Sequence, residues 1–566
     1  MLTGLRIGNF KAFAEEQHIP IRPITLIFGA NSSGKSSIIH SLLLANHALE
    51  TGDWDVHQPR LGAESVDLGG FPHYAHQHQP AGGFLLHFES DVSHVNLMDV
   101  LVGTEAEMKP FCGFRKFGVS FRIARSGGID NPTGVDNALA IQTAEIAFDG
   151  RTALGFIRTG PDSFQCSRVD SEHPLIKRLL QEISEFARMT FQERTDSGRD
   201  LAALLKAVPL LGEATGEVVE AGADAAALKE EFPPTSSPAP LVDEPDDLAK
   251  KLAGVLAERQ FRLRQHYLSD EGPDGDWNWA GWREWMAEGQ YGGVLGFFRE
   301  WGGDDERGAQ AQAIRYNLTR LIAVLTALTS KELRKLSYLG PQRVVPPRHL
   351  LALAQDSSAS SGCGLEAWQH VCRDARAQET VNRWFGPEWL ELPCRLRVRR
   401  LVYADEPAGD AGIPELLFED SSTRTRLSHR DLGFGVTQAL PVLVSAAALT
   451  NRIIAVEQPE LHLHPAQQAE LGDVFIESAL GERKNTFLLE THSEHLILRI
   501  LRRVRETAEG RLPQGKTPVR PEDLSVLFIQ AGSNGSEVVE LPVTPDGDFG
   551  RPWPGGFFAE RFQELP

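Results

Sequence analysis

The chain has 566 residues, more than one hydrophobic core normally serves, so two or more structural units are expected. Its five cysteines (Cys112, Cys166, Cys363, Cys372 and Cys394) are odd in number and form no C-x-x-C pair, which speaks against a disulfide framework or a zinc site and fits a reducing cytoplasm. Lys and Arg number 57 against 77 Asp and Glu, and the resulting net charge of −20 disfavours non-specific coating of nucleic acid.

In chain order, Met1 to Phe13 carries charges within a strand-like pattern and lacks the apolar core of a signal peptide, so export is not expected. Leu5 to Phe10 and Ile24 to Phe28 read as strands, the second leading directly into a glycine-rich turn. Ser36 to Ala48 reads as a helix, with Ile38, Ile39, Leu42 and Leu43 recurring on one face. From Gly83 to Arg158 short alternating segments broken by glycines and asparagines predict an antiparallel β subdomain. Pro174 to Lys335 is mostly helical in period, interrupted by a stretch at 213–247 with ten acids and one lysine that reads as a solvated linker.

Strand-like runs return at Leu396 to Tyr403, Glu415 to Glu419, Ile453 to Val456, Thr486 to Leu489 and Ser525 to Ile529. The most apolar stretch, Ala439 to Val456, is interrupted by Pro441, Asn451 and Arg452, and divides into a short helix and a buried strand better than it spans a membrane. The expected fold is α/β, with one sheet fed from both ends of the chain. The expected division is 1–170 for the first part of the head, 171–335 for a helical insertion, 336–510 for the second part, and 511–566 for a C-terminal extension.

Gly29-Ala30-Asn31-Ser32-Ser33-Gly34-Lys35-Ser36 fits the phosphate-loop pattern G-x-x-x-x-G-K-[ST], followed by Ser37 on the helix, and it lies between a strand and a helix as the mechanism requires. Glycines let backbone N–H groups turn toward phosphate oxygens, Lys35 neutralises their charge, and the Ser36 hydroxyl ligates Mg2+. ATP is the expected ligand. Far along the chain, Ile453 to Val456 delivers Glu457 to a strand end as in a Walker B segment, where it would hold the water shell of the magnesium. Gly433-Phe434-Gly435-Val436-Thr437-Gln438 precedes it, and Glu490-Thr491-His492-Ser493 ends a further strand. Taken singly, a strand-terminal acid is also a capping residue, and Gly433 with Gly435 also fits a plain turn.

In this order the segments resemble the split head of an ABC-type ATPase of the RecF, SMC and OLD-nuclease kind. The resemblance implies a P-loop head split by the β subdomain and the helical insertion. It implies that ATP is sandwiched between the P-loop of one subunit and the Gly433, Gly435 and Gln438 loop of another, giving a homodimer or higher homo-oligomer. It assigns γ-phosphate sensing to His492 and the water-polarising position to Gln458, where a glutamate is usual, with Glu460 as the alternative base. The run Glu457 to Pro465, with Trp553-Pro554-Gly555-Gly556-Phe557-Phe558, narrows the resemblance to prokaryotic AAA-family ATPases with an uncharacterised C-terminal domain, relatives of which occur in phage defence. The expected targets are DNA or a partner effector, with no membrane; the rivals are a nucleotide-gated scaffold restraining a toxic partner and, last, an ATP-regulated nuclease.

Other features compete for function. His462, His464, His492 and His495 are dense but lack a cysteine to complete a zinc set, so packing and phosphate sensing are preferred. Asp546-Gly547-Asp548 reads as a turn. Arg395, Arg397 and Arg399 alternate along one strand face, where they meet either phosphates or neighbouring acids; Arg343 and Arg348 are a second set. Five of the ten tryptophans fall between Trp277 and Trp301, which suits a small helical core.

Overall fold

Two apolar runs and an intervening turn open the chain as β1 (Leu2–Gly8), β2 (Gln17–Pro20) and β3 (Ile24–Gly29), followed by α1 (Lys35–Thr51) and a helical turn, α2 (Phe71–Tyr74). Asn9 and Lys11 adopt left-handed backbone, with φ of 52° and 46°, so β1 stops at Gly8 rather than at Phe10. Next come β4 (Phe84–Asp91), β5 (Lys116–Arg125), β6 (Leu139–Phe148), β7 (Arg151–Gly160), β8 (Ser163–Val169) and the two-residue β9 (Phe261–Arg262). The second half supplies β10 (Leu336–Leu339), α3 (Leu365–Arg373), α4 (Ala375–Trp384), β11 (Cys394–Leu401), β12 (Ile413–Asp420), β13 (Arg426–Ser428) and α5 (Phe434–Ala448). It closes with β14 (Ile453–Glu457), α6 (Pro465–Leu480), β15 (Thr486–Glu490), α7 (Glu494–Ala508), β16 (Leu524–Gly532) and β17 (Gly535–Glu540).

The computed structural model describes residues 1–62, 65–79, 82–93, 114–125, 139–160, 163–170, 172–178, 261–262, 325–326, 328–345, 364–401 and 413–556. The acidic stretch 213–247, the tryptophans from Trp277 to Trp301, Arg348, Phe557 and Phe558 lie outside them, as does most of the insertion expected at 171–335.

A six-stranded sheet in the order β10-β14-β15-β3-β16-β17 forms the centre, parallel from β10 to β16 and antiparallel only at β17. Strands β3, β14 and β15 are buried at every residue, as expected of a parallel sheet covered on both faces. Successive side chains serve opposite cores. Ile27, Ala455, Leu488 and Leu527 pack with Ile38, Leu42 and the antiparallel sheet, while Leu26, Val456, Leu489 and Val526 pack with Leu443, Phe475 and Ile500 of α5, α6 and α7. Each large apolar side chain buried in this way contributes about 1.5–3 kcal/mol.

The antiparallel β subdomain is an eight-stranded sheet in the order β2-β1-β4-β5-β6-β7-β8-β9, and a three-stranded sheet, β11-β12-β13, flanks the helical side. Strand pairing reaches β9, inside the block expected to be mainly helical. Helix α5 contains Pro441 and is followed by the buried strand β14, so Ala439 to Val456 divides into a helix and a strand. The stretch set apart as an extension from 511 supplies β16, which pairs directly with β3, because its apolar run is buried from Leu524 to Ile529. Among the described residues, no helix is long and apolar enough to cross a membrane.

Candidate nucleotide site

The phosphate loop leaves β3 through two glycines that nothing larger replaces. At Gly29, with φ 150°, a Cβ would lie 2.6 Å from the Ile529 carbonyl oxygen, and at Gly34, with φ 98°, it would lie 2.3 Å from the Ala12 Cβ. Ala30, Asn31 and Ser32 at the tip are exposed, whereas Ser33, Lys35 and Ser37 are buried. The hairpin β16–β17 braces the loop from behind, the Ser536 hydroxyl donating to the Ser33 carbonyl at 2.7 Å. Helix α1 starts here with no acid in its first turn, so its N-terminal N–H groups and positive dipole end face the loop uncompensated.

Lys35 Nζ donates to the carbonyls of Ala30 at 2.8 Å and Gly29 at 3.2 Å. Burial lowers its pKa, opposed by the charges of Glu490 and Glu457. The Ser36 hydroxyl donates to Glu490 Oε2 at 2.7 Å. Glu457, at the end of β14, accepts a hydrogen bond from the Tyr338 phenol at 2.9 Å and lies 3.5 Å from His40 Nε2. Lys11 Nζ in turn lies 2.7 Å from His40 Nδ1, so a chain of polar contacts links the turn after β1 to the Walker B acid. Burial pulls the Lys11 pKa down to about 8, opposed by the charges of Glu457 and Asp67.

Glu457 and Glu490 are register partners on adjacent strands. Burial, then the neighbouring Glu457 charge, pushes the Glu490 carboxyl up to about 7. The Gln458 N–H donates to the Glu490 carbonyl at 2.7 Å, and its backbone is left-handed with φ 47°. Glu460 Oε1 accepts the His492 backbone N–H at 2.8 Å, and burial raises the Glu460 pKa. Burial, together with the Lys35 charge, lowers the pKa of His492, favouring a neutral imidazole at the strand end.

The loop Gly29–Ser36, Glu457 and His492 thus follow or end the neighbouring strands β3, β14 and β15. The oxygen donors beside the loop, the Ser36 hydroxyl and the Glu457 and Glu490 carboxylates, are the hard ligands that Mg2+ takes. Glu490, Tyr338, His40 and Lys11 were missed. Glu490 alone left a local signal, since it ends an apolar strand just as Glu457 does. The partners Tyr338 and Glu457 are separated by 119 residues, and no local pattern announces them.

Gly433 is exposed at the start of α5, with nothing among the described residues within 4 Å of a Cβ built there, while Gly435 is held close to the His462 carbonyl. Gln438 is buried, its Oε1 accepts the Arg343 N–H at 3.1 Å and its Nε2 donates to the Arg343 carbonyl at 2.8 Å, so in the single chain its amide is committed to the Arg343 backbone. Arg343 is withdrawn from any phosphate: it is buried, and its guanidinium donates to the carbonyls of Glu457 at 2.7 Å and of Gln438 and Gln458 at 3.3 Å. On β11, Arg397 and Arg399 pair with Glu419 and Glu415 of β12. The arginine strand is thus an acid-balanced sheet face.

The competing histidines have local partners. His464 Nδ1 accepts the Ala466 N–H at the start of α6, and the His462 ring meets Phe434 edge-on at 4.8 Å. Asp546 to Asp548 forms a turn, closed by the Gly547 N–H to the Thr544 carbonyl at 3.0 Å. Among the described residues, no group of three or more His, Cys, Asp or Glu side chains is placed to hold a metal.

Residues 5–47 match the family model described as AAA domain, and residues 403–497 match that described as AAA ATPase domain. The first segment contains the P-loop, and the second contains Gly433, Glu457 and His492. No curated protein matches the chain. Among solved structures, it is similar to an SMC head bound to the C-winged helix domain of ScpA, at 10% identity and TM-score 0.35 over 96% of this chain and 97% of that one. It is also similar to an SMC head with an extended coiled coil bound to the C-terminal domain of ScpA from Pyrococcus furiosus (11% identity, TM-score 0.34, 96% of each chain). A third is the SMC head domain from Thermotoga maritima (9%, TM-score 0.34, 96% of this chain and 99% of that one). Superpositions this loose add nothing to the geometry of the site.

Proposed function

We propose that the chain is an ATPase head that binds ATP with Mg2+ at the loop Gly29–Ser36 and closes on it as a homodimer. The observation that carries this reading is the strand, P-loop and helix with Lys35 inside the loop and Ser36, Glu457 and Glu490 gathered at one edge. Backbone N–H groups of Asn31 to Ser37 cradle the phosphates, and Lys35 exchanges the Ala30 and Gly29 carbonyls for phosphate oxygens. The Ser36 hydroxyl and the Glu457 carboxylate would hold Mg2+, which would supply positive charge to offset the phosphates. His492, neutral and adjacent to the Lys35 charge, senses the γ-phosphate. Gly433 and Gly435 approach the nucleotide from the second subunit.

Lys35→Ala tests the foundation, since it removes the loop's own side-chain cation. Its affinity for a fluorescent ATP analogue is expected to fall at least about tenfold, the loss of a charge-assisted hydrogen bond of ~1.5–3 kcal/mol. Undiminished binding would remove the basis of the reading.

Gln458 favours a second reading of the same site. An amide orients water but accepts no proton, so turnover is slow and the chain acts as a nucleotide-gated scaffold that restrains a partner effector. Control of DNA or of an effector protein, in phage defence or DNA maintenance, rests on the sequence resemblance. A plaque assay comparing wild type with Lys35→Ala in a bacterial host tests the defence role.

A further inference from the structure

Glu490 has no place in the site inferred from sequence, yet it is the carboxylate that reaches the P-loop serine. It ends β15, the strand lying between β14 and the P-loop strand β3. Across one ladder it is opposite Glu457, and across the other it is opposite Ile27, two residues before the loop begins. The Ser36 hydroxyl donates its hydrogen to Glu490 Oε2 at 2.7 Å. Glu457 is held differently: its Oε1 accepts the Tyr338 phenol at 2.9 Å and faces His40 at 3.5 Å.

We propose that Glu490 is the positioning carboxylate of the cation site, orienting the Ser36 hydroxyl and sharing with Glu457 the charge that holds Mg2+ and its water shell. The inference rests on the ATP-binding reading above. A serine hydroxyl has one hydrogen and two lone pairs. With the hydrogen committed to Glu490, the lone pairs are what the oxygen offers a cation. The residue after Glu457 is the neutral Gln458, so the second negative charge at this edge comes from the neighbouring strand. Two carboxylates and a hydroxyl form the oxygen-rich, partly hydrated environment that Mg2+ prefers, and supporting residues of this kind set metal affinity by ~10–100-fold.

The test uses the full chain and two readouts besides turnover: affinity for a fluorescent ATP analogue in EDTA, and the Mn2+ or Mg2+ concentration that gives half-maximal metal-dependent binding, with Mn2+ followed by electron paramagnetic resonance. Glu490→Gln keeps a hydrogen-bond acceptor for Ser36 but removes the charge. It is expected to raise the half-maximal cation concentration by ~10–100-fold while affinity in EDTA stays the same or tightens, and Glu490→Asp recovers part of the cation affinity. A purely structural role predicts equal losses with and without metal, and that result would overturn the assignment. So would a cation dependence that Glu490→Gln leaves unmoved while ATP still binds. Wild-type chain that binds no ATP in either condition overturns the ATP reading, and this assignment with it.

Discussion

Gln458 follows Glu457 directly, and the structure fixes its backbone at both ends: its N–H donates to the Glu490 carbonyl, and its own carbonyl accepts from Arg343. That grip holds it in a left-handed conformation of φ 47°, which few residues other than glycine or asparagine adopt without cost. Glu460, the other candidate base, has one carboxylate oxygen committed to the His492 N–H, so it holds the backbone at His492. Gln458→Glu is therefore expected to raise steady-state ATPase activity by ~10²-fold or more, the usual worth of a general base, while Glu460→Gln changes the rate little. Phosphate release measured on both variants decides between them; a rate indifferent to Gln458→Glu but abolished by Glu460→Gln would put Glu460 at the water. At this scale the sequence was legible wherever a residue belongs to a local pattern. Lys35, Ser36, Glu457 and His492 stand out in the sequence because each ends or closely follows a strand, or opens the helix after a turn of recognisable composition. Tyr338, His40 and Lys11 were not, because their contacts depend on strands brought together only by the complete sheet.

Helices α6 and α7 cover one face of the central sheet, and their shared polar contact is a buried charge cluster. Asp473 on α6 receives Arg503 Nε at 2.7 Å and Nη2 at 2.8 Å, with Arg499 at 3.0 Å and Lys516 at 3.2 Å. Burial opposes ionisation of Asp473, but the Arg503 hydrogen bonds and the three positive charges outweigh it and hold the carboxyl below its usual range. Because the folded-state pKa is depressed, the stabilisation is present above the unfolded value of about 3.8 and is lost as pH falls through the folded one. Asp473→Asn leaves Arg503 with Glu506, 2.6 Å from its Nη1, as its remaining carboxylate, so it is expected to cost about 3 kcal/mol near neutral pH, narrowing toward zero in strong acid. Urea denaturation of both proteins at several pH values measures this; a constant difference across that range would assign the loss to packing instead. Helix α7 and its apolar face are plain in sequence, but this cluster is not. Asp473 lies 30 residues from Arg503, and charges on amphipathic helices are ordinarily read as solvated.

At the scale of the molecule, a sheet fed from both ends of the chain was legible because its strands are short apolar runs ending in polar site residues. The boundary drawn at 511 has no counterpart in the sheet, which continues beyond it through β16 to β17. The same whole-molecule view bears on assembly. Among the described residues, the loop before α5 leaves Gly433 exposed, with φ −58° and no atom within 4 Å of a built Cβ. Phe434 beside it is 57% exposed, although it is a large apolar residue. Gly435 differs, because a side chain there would meet the His462 carbonyl at 2.3 Å and disturb the fold of a single subunit. Gly433→Arg therefore adds bulk and charge at a position that no described residue of the same chain crowds. Wild-type protein with a non-hydrolysable ATP analogue is expected to double its mass in light scattering, while Gly433→Arg keeps the nucleotide-free melting temperature of wild type but stays at the single-chain mass. A wild-type mass that ignores nucleotide, or equal association in the variant, would show that this loop does not close over a partner's P-loop.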